Sequence, residues 1–152
     1  MIAALRHISW SVIPLVAGLF VMVAALNRVG ALTLSTKGLE TAAHWPPLAG
    51  LSAVAFGFGI IANAINNLPT GLIGAAAIKA AHGTQLMHAA VLLGINLGPN
   101  LSVTGSLATI LWLMALQREN IQISGWKFLH TGFVIMPPAL ALAVLVLAFA
   151  GR

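Results

Sequence analysis

The 152-residue chain has no cysteine, only two acidic residues, and charged residues at just 6% of its length. The missing cysteines exclude disulfides, thiolate metal sites and a cysteine nucleophile within the chain. The low charge excludes an ordinary soluble domain, in which about a quarter of the residues are charged. In their place stand 60% hydrophobic residues and a mean hydropathy of +1.02, the composition of a chain that lives in a bilayer. Seven Lys and Arg give a formal charge of +5. They lie between apolar runs and at their ends, which suits anchoring at the membrane flanks. No basic stripe interleaves with aromatics as nucleic-acid binding would require. There is no nucleophile–base pair, phosphate loop or metal cluster, so neither an enzyme activity nor a cofactor is expected.

Four apolar units follow one another. Ile8 to Leu26 is long enough to span a bilayer, for which about 20 helical residues suffice. It therefore reads as a transmembrane helix, with Trp10 near one interface and Arg28 past the other, rather than as a signal peptide behind Arg6 and His7. A polar connection from Asn27 to Pro47, holding Lys37, Glu40, His44 and Trp45, is expected to be the longest stretch outside the membrane. Pro46 and Pro47 suit a helix start. Leu48 to Ile65 is apolar, a polar tip interrupts it, and a shorter arm, Thr70 to Ala81, leads back to Lys79 and His82. That arm is too short to cross about 30 Å of hydrocarbon, so residues 48–81 read as a re-entrant helical hairpin. Pro69 is expected to hold Leu68 out of helical geometry. The third unit, Gln85 to Gln117, carries Gly94, Gly98, Pro99 and Gly105. Glycine costs about 1 kcal/mol and proline about 3 kcal/mol in a helix interior, so the helix is expected to unwind between about Asn96 and Thr104. The last unit, Phe128 to Ala150, is a plain span with an expected kink at Pro137 and Pro138.

Two polar patches stand out against this background: Asn63, Asn66, Asn67, Pro69 and Thr70 at the hairpin tip, and Asn96, Asn100, Ser102, Thr104 and Ser106 around the break. Unpaired amides and hydroxyls persist at membrane depth only where they meet protein partners or line a polar cavity. An unwound helix also frees carbonyls and points half-helix ends at the gap, which is how transporters build substrate sites. A buried transport site is the functional reading. The plainer one is interhelical hydrogen bonding by the asparagines, favoured for Asn63, and backbone bonding by Ser and Thr hydroxyls, favoured for Thr109. Gly57, Gly59, Gly71 and Gly74 are read as packing residues. His82 and His88 are six apart, on different helix faces, and read as interface residues rather than metal ligands. His44 beside Trp45 and His130 near Trp126 read as headgroup anchors.

The order Asn66-Asn67-Leu68-Pro69-Thr70, Asn96-Leu97-Gly98-Pro99, then Gly105-Ser106-Leu107-Ala108-Thr109-Ile110-Leu111-Trp112 resembles the C-terminal part of arsenite/antimonite efflux permeases of the ion transporter superfamily. The flanks around Leu19–Met22 and Ile123–Phe128 are similar as well. The resemblance covers nearly the whole chain. It implies an all-α integral membrane protein of the plasma (inner) membrane. The chain would be the second of two inverted repeats, built from spans, one re-entrant hairpin and one broken helix. It further implies arsenite or antimonite as substrate, export against protons, oligomer formation, a missing first repeat or partner half, and in some systems a soluble ATPase partner.

On this basis the expected substrate contacts are Asn66, Asn67, Thr70, Asn96, Asn100, Thr104 and Ser106, with Pro69, Gly94, Gly98, Pro99 and Gly105 shaping the backbone. Many family members carry an acidic residue and a lysine where this chain has Asn96 and Asn100. The site is thus uncharged, which suits a neutral trihydroxide, and the coupling proton is expected to titrate in the other half. A carboxylate or sodium/proton carrier of the same superfamily is the alternative within transport. A truncated or accessory membrane subunit with no transport of its own is the alternative outside it. Basic residues fall three against four on the two sides, so the positive-inside rule leaves orientation open. Hairpin and C-terminus share a side, and by analogy with superfamily relatives that side is the outside.

Overall fold

A computed structural model describes residues 12–151, so Arg6, His7, Trp10 and Arg152 lie outside it, as does the start of the first expected span. The described residues form α1 (Val12–Arg28), α2 (Ala31–Ala43), α3 (Pro47–Ile65), α4 (Asn67–Ala80), α5 (Gln85–Leu97), 3-10 turns at Gly98–Leu101 and Val103–Gly105, α6 (Leu107–Arg118) and α7 (Gly125–Ala150), with no strand among them. Two helices, α3 and α7, are long and apolar enough to cross a membrane. A third crossing is available if α1 and α2, bent by 69° at their junction, act as one broken span. Gly30, at φ 84°, makes that bend in a conformation that favours glycine.

The expected polar connection after α1 is for the most part a helix. In α2, Leu32, Leu39 and Ala42 recur at helical spacing; Leu39 and Ala42 are buried, and Leu32 packs against the same core. The hydroxyls of Thr36 and Thr41 donate to Leu32 O at 2.9 Å and Lys37 O at 2.8 Å, so polar residues sit on the helix without interrupting it. Counting charges and hydroxyls hid this apolar face. Glu40 accordingly lies on the exposed side of a packed helix rather than in a loop.

The helix α3 is the centre of the fold. Pro47 occupies its first turn, as the sequence implies. Its Leu51, Val54, Ala55 and Phe58 join Ile78 of α4, Val91 and Ile95 of α5, and Leu140 and Val144 of α7 in one core. Phe58 and Gly74 face each other across α3 and α4, each eight residues from Asn66, which fixes the pair as a hairpin. α3 and α5 approach backbone to backbone. A Cβ on Gly94 would strike Ala55 O, and one on Gly98 would strike the backbone of Gly59. Ala55/Gly59 and Gly94/Gly98 are thus matched small-residue pairs at a spacing of four. Gly94, expected to shape the backbone near the break, lies inside α5 as a packing residue, and the first 3-10 turn starts at Gly98, within the stretch expected to unwind. α7 starts at Gly125 and continues through Pro137 and Pro138 without interruption, exposing Phe133, Val134, Leu142 and Val146 along its outer face.

Candidate functional site

The hairpin turns at a single residue. Asn66, buried, takes φ 77° and ψ 151°, a region that costs a residue with a side chain about 1–3 kcal/mol. Its own bonds hold it there. Oδ1 accepts from Leu68 N at 3.3 Å, its carbonyl accepts from Thr70 Oγ1 at 2.7 Å, and Nδ2 donates to Thr104 O at 3.1 Å. Contrary to the sequence expectation, Leu68 and Pro69 are helical. Pro69 falls in the first turn of α4, where an N–H has no intrahelical acceptor and its absence costs nothing.

The helix opens at Gly98, inside the stretch expected to unwind. α5 runs to Leu97, a 3-10 turn carries Pro99, and the chain is extended only at Ser102 (φ −134°) and Ser106 (φ −142°). Ser106 then caps α6, its Oγ accepting from Ala108 N at 3.2 Å. Gly105 is required by closeness: a Cβ there would lie 2.7 Å from Pro99 Cα and 2.9 Å from Asn63 Oδ1.

Tip and break meet through Asn63, in the last turn of α3. Its Nδ2 donates to Gly59 O at 2.8 Å and to Gly98 O at 2.7 Å, and its Oδ1 accepts from Ser102 Oγ at 2.7 Å. Its carbonyl accepts from Thr104 Oγ1 at 3.2 Å, and the Ser102 and Thr104 hydroxyls lie 3.3 Å apart. Among the described residues no buried side-chain nitrogen or oxygen lacks a partner. Asn63 and Ser102 were not among the expected contacts. The signal for Asn63 was its place four residues after Gly59 and three before Asn66, on the helix face that turns toward the break.

The expected contacts are distributed unevenly. Asn66 and Thr104 are joined directly. Asn67 is half-buried at the start of α4, and its amide bonds no described residue. Ser106 is half-buried at the start of α6, and Pro69, Pro99, Gly98 and Gly105 are buried around the crossing. Thr70 is fully enclosed in the core. Asn96 and Asn100 are exposed and are not joined to the tip: Asn96 donates to Leu92 O at 2.8 Å and Asn100 to Leu97 O at 2.9 Å. Asn96 instead borders a groove of about 750 Å³ between α5 and α7, beside Leu142 and Val146. A separate groove of about 390 Å³ between α2 and α3, lined by Leu34, Gly38, Trp45, Gly57 and Phe58 among others, is apolar and contains none of these polar residues.

The ends of four helices therefore converge: carbonyl ends of α3 and α5, amide ends of α4 and α6. What remains available is uncharged: the Asn67 carboxamide, the Ser106 O–H, and the N–H groups at the first positions of α4 and α6, Asn67 and Leu107, at the positive ends of their dipoles. Such a set fits a small neutral molecule carrying several hydroxyls. No group of three or more His, Asp or Glu among the described residues is placed to hold a metal ion.

Comparison with known proteins identifies the family. The family model described as "Arsenical pump membrane protein" matches residues 3–150. The chain is 30% identical to an arsenical pump membrane protein of Yersinia enterocolitica and 31% identical to one of Escherichia coli, in each case over 95% of this chain and 34% of the relative. It is 30% identical to an uncharacterized transporter of Mycobacterium tuberculosis, over 94% of this chain and 35% of that protein. No solved structure matches. The chain thus spans about a third of the length of the curated relatives it matches. With its apolar spans, hairpin and broken helix, this multi-pass integral membrane protein belongs to the arsenical pump membrane protein family.

Proposed function

We propose that this chain supplies one half of the substrate pathway of a secondary permease that exports arsenite and antimonite across the bacterial inner membrane. The observation that carries the reading is the Asn66–Thr104 junction, where a hairpin tip and a broken helix meet beside the uncommitted Asn67 amide. Arsenite near neutral pH is an uncharged trihydroxide, so its recognition calls for donors and acceptors rather than for a counter-ion. The nearest charged side chains by sequence, Lys79 and Arg118, sit in the last turns of α4 and α6, at the ends away from the crossing. That disfavours a carboxylate as substrate. Export is coupled to protons, and the group that titrates belongs to the part of the permease that this chain does not span, since Glu40 and Glu119 are exposed and remote from the tip.

The test is arsenite resistance in an efflux-deficient bacterium, comparing the chain alone with the chain joined to a first half taken from a family relative. Resistance from the joined form supports the reading. A joined form that reaches the membrane and confers no resistance to arsenite or antimonite contradicts it.

A further inference from the structure

Asn63 is the most heavily bonded side chain at the crossing, and its bonding leaves its amide no N–H to offer a ligand. Both N–H donors of the carboxamide are engaged, one with its own helix and one with Gly98 O, and its oxygen holds Ser102 Oγ. The three residues it ties down mark the course of the break: Gly98 where α5 ends, Ser102 where the backbone first becomes extended, and Thr104 before α6 begins. Gly98 heads the 3-10 turn that follows α5, and Asn63 adds to its carbonyl a bond supplied from another helix. Ser102 and Gly98 lie 39 and 35 residues from Asn63 in sequence. No local turn geometry can replace these bonds.

We infer that Asn63 is a positioning residue of the transport site: it sets the shape of the broken helix against the hairpin tip and does not itself contact the substrate. This rests on the proposed transport reading for its consequence, but its structural part is tested separately.

The chain contains no cysteine, so Val103→Cys, half-buried inside the break, provides a single reporter. Its alkylation by a membrane-permeant maleimide is followed in membranes holding the 152-residue chain, and arsenite transport is followed in the joined permease. Asn63→Ala is expected to raise the alkylation rate about fivefold for each cross-helix bond lost, the change in opening equilibrium that corresponds to one net hydrogen bond, and to reduce transport. Asn67→Ala is expected to reduce transport while leaving alkylation unchanged. Ser102→Ala removes a single bond from the opposite side, and it makes the same comparison if Asn63→Ala fails to reach the membrane. The effects of Asn63→Ala and Ser102→Ala on alkylation should fall short of additivity. Loss of transport in Asn63→Ala with unchanged alkylation would overturn the inference, because Asn63 would then act as a ligand. Faster alkylation with full transport would also overturn it, and would in addition remove the break from the transport site.

Discussion

Asn66 Nδ2 donates to Thr104 O at 3.1 Å, so a side chain at the hairpin tip closes onto the backbone of the broken helix 38 residues later. The residue that makes this bond is also the one whose backbone carries φ 77°. Strain and cross-helix contact therefore belong to the same residue, and they can be separated by mutation.

Asn66→Gly removes the side-chain bonds but adopts the backbone conformation without penalty. Asn66→Ala removes the same bonds and keeps the strain, about 1–3 kcal/mol. Alanine should therefore be the more damaging of the two by roughly that amount, read as thermal stability of the detergent-solubilised protein. Equal or milder loss in Asn66→Ala would show that the tip does not hold this conformation.

The α3–α5 contact predicts a sharp division among the glycines. Gly94→Ala and Gly98→Ala place a methyl group against Ala55 and Gly59 backbone atoms that have nowhere to move, and both should abolish accumulation in the membrane. Gly38→Ala and Gly57→Ala meet nothing within 4 Å and should be neutral or stabilising by up to about 1 kcal/mol. Immunoblotting of membrane fractions checks the first pair and thermal denaturation the second. Normal abundance of Gly98→Ala would refute the close packing.

The two carboxylates of the chain, Glu40 and Glu119, are exposed and away from the crossing. Replacing both with glutamine should leave the rate of arsenite export by the joined permease, and its dependence on pH, within about twofold, the scale of ordinary surface substitutions. A flattened pH profile would move the proton-coupling group into this chain.

Much of this architecture is legible in the sequence because membrane solvent imposes few options. The last apolar run, the short return arm and the glycine- and proline-laden helix announce a helix of spanning length, a hairpin and a break, while α3, read as one arm of a re-entrant hairpin, is itself long and apolar enough to cross. Pro47 also begins a helix where the sequence suggests. The misreadings have specific causes. In α2 the hydroxyls of Thr36 and Thr41 bond their own helix, so a polar composition conceals a packed face of Leu32, Leu39 and Ala42. Pro69 looks like a breaker until its position in the first turn is known, where an N–H would have no partner. Gly94 reads as a residue that shapes the break, but the backbone of Ala55 beside it makes it a packing residue of α5. Asn63 is the instructive case within the candidate site. A lone asparagine near the end of an apolar helix suggests interhelical bonding, but which carbonyl and hydroxyl it meets depends on residues 35 to 39 positions away. Only the folded chain brings them together.

The central claim is that the crossing of hairpin tip and broken helix binds arsenite, and Asn67 is the residue there whose amide remains uncommitted. The most direct measurement is the initial rate of arsenite export from cells carrying the joined permease, with Asn67 intact or changed to alanine, at matched membrane abundance. Loss of one or two hydrogen bonds to the substrate should lower kcat/KM by about tenfold. Unchanged export at equal abundance would contradict the account and place the arsenite site elsewhere.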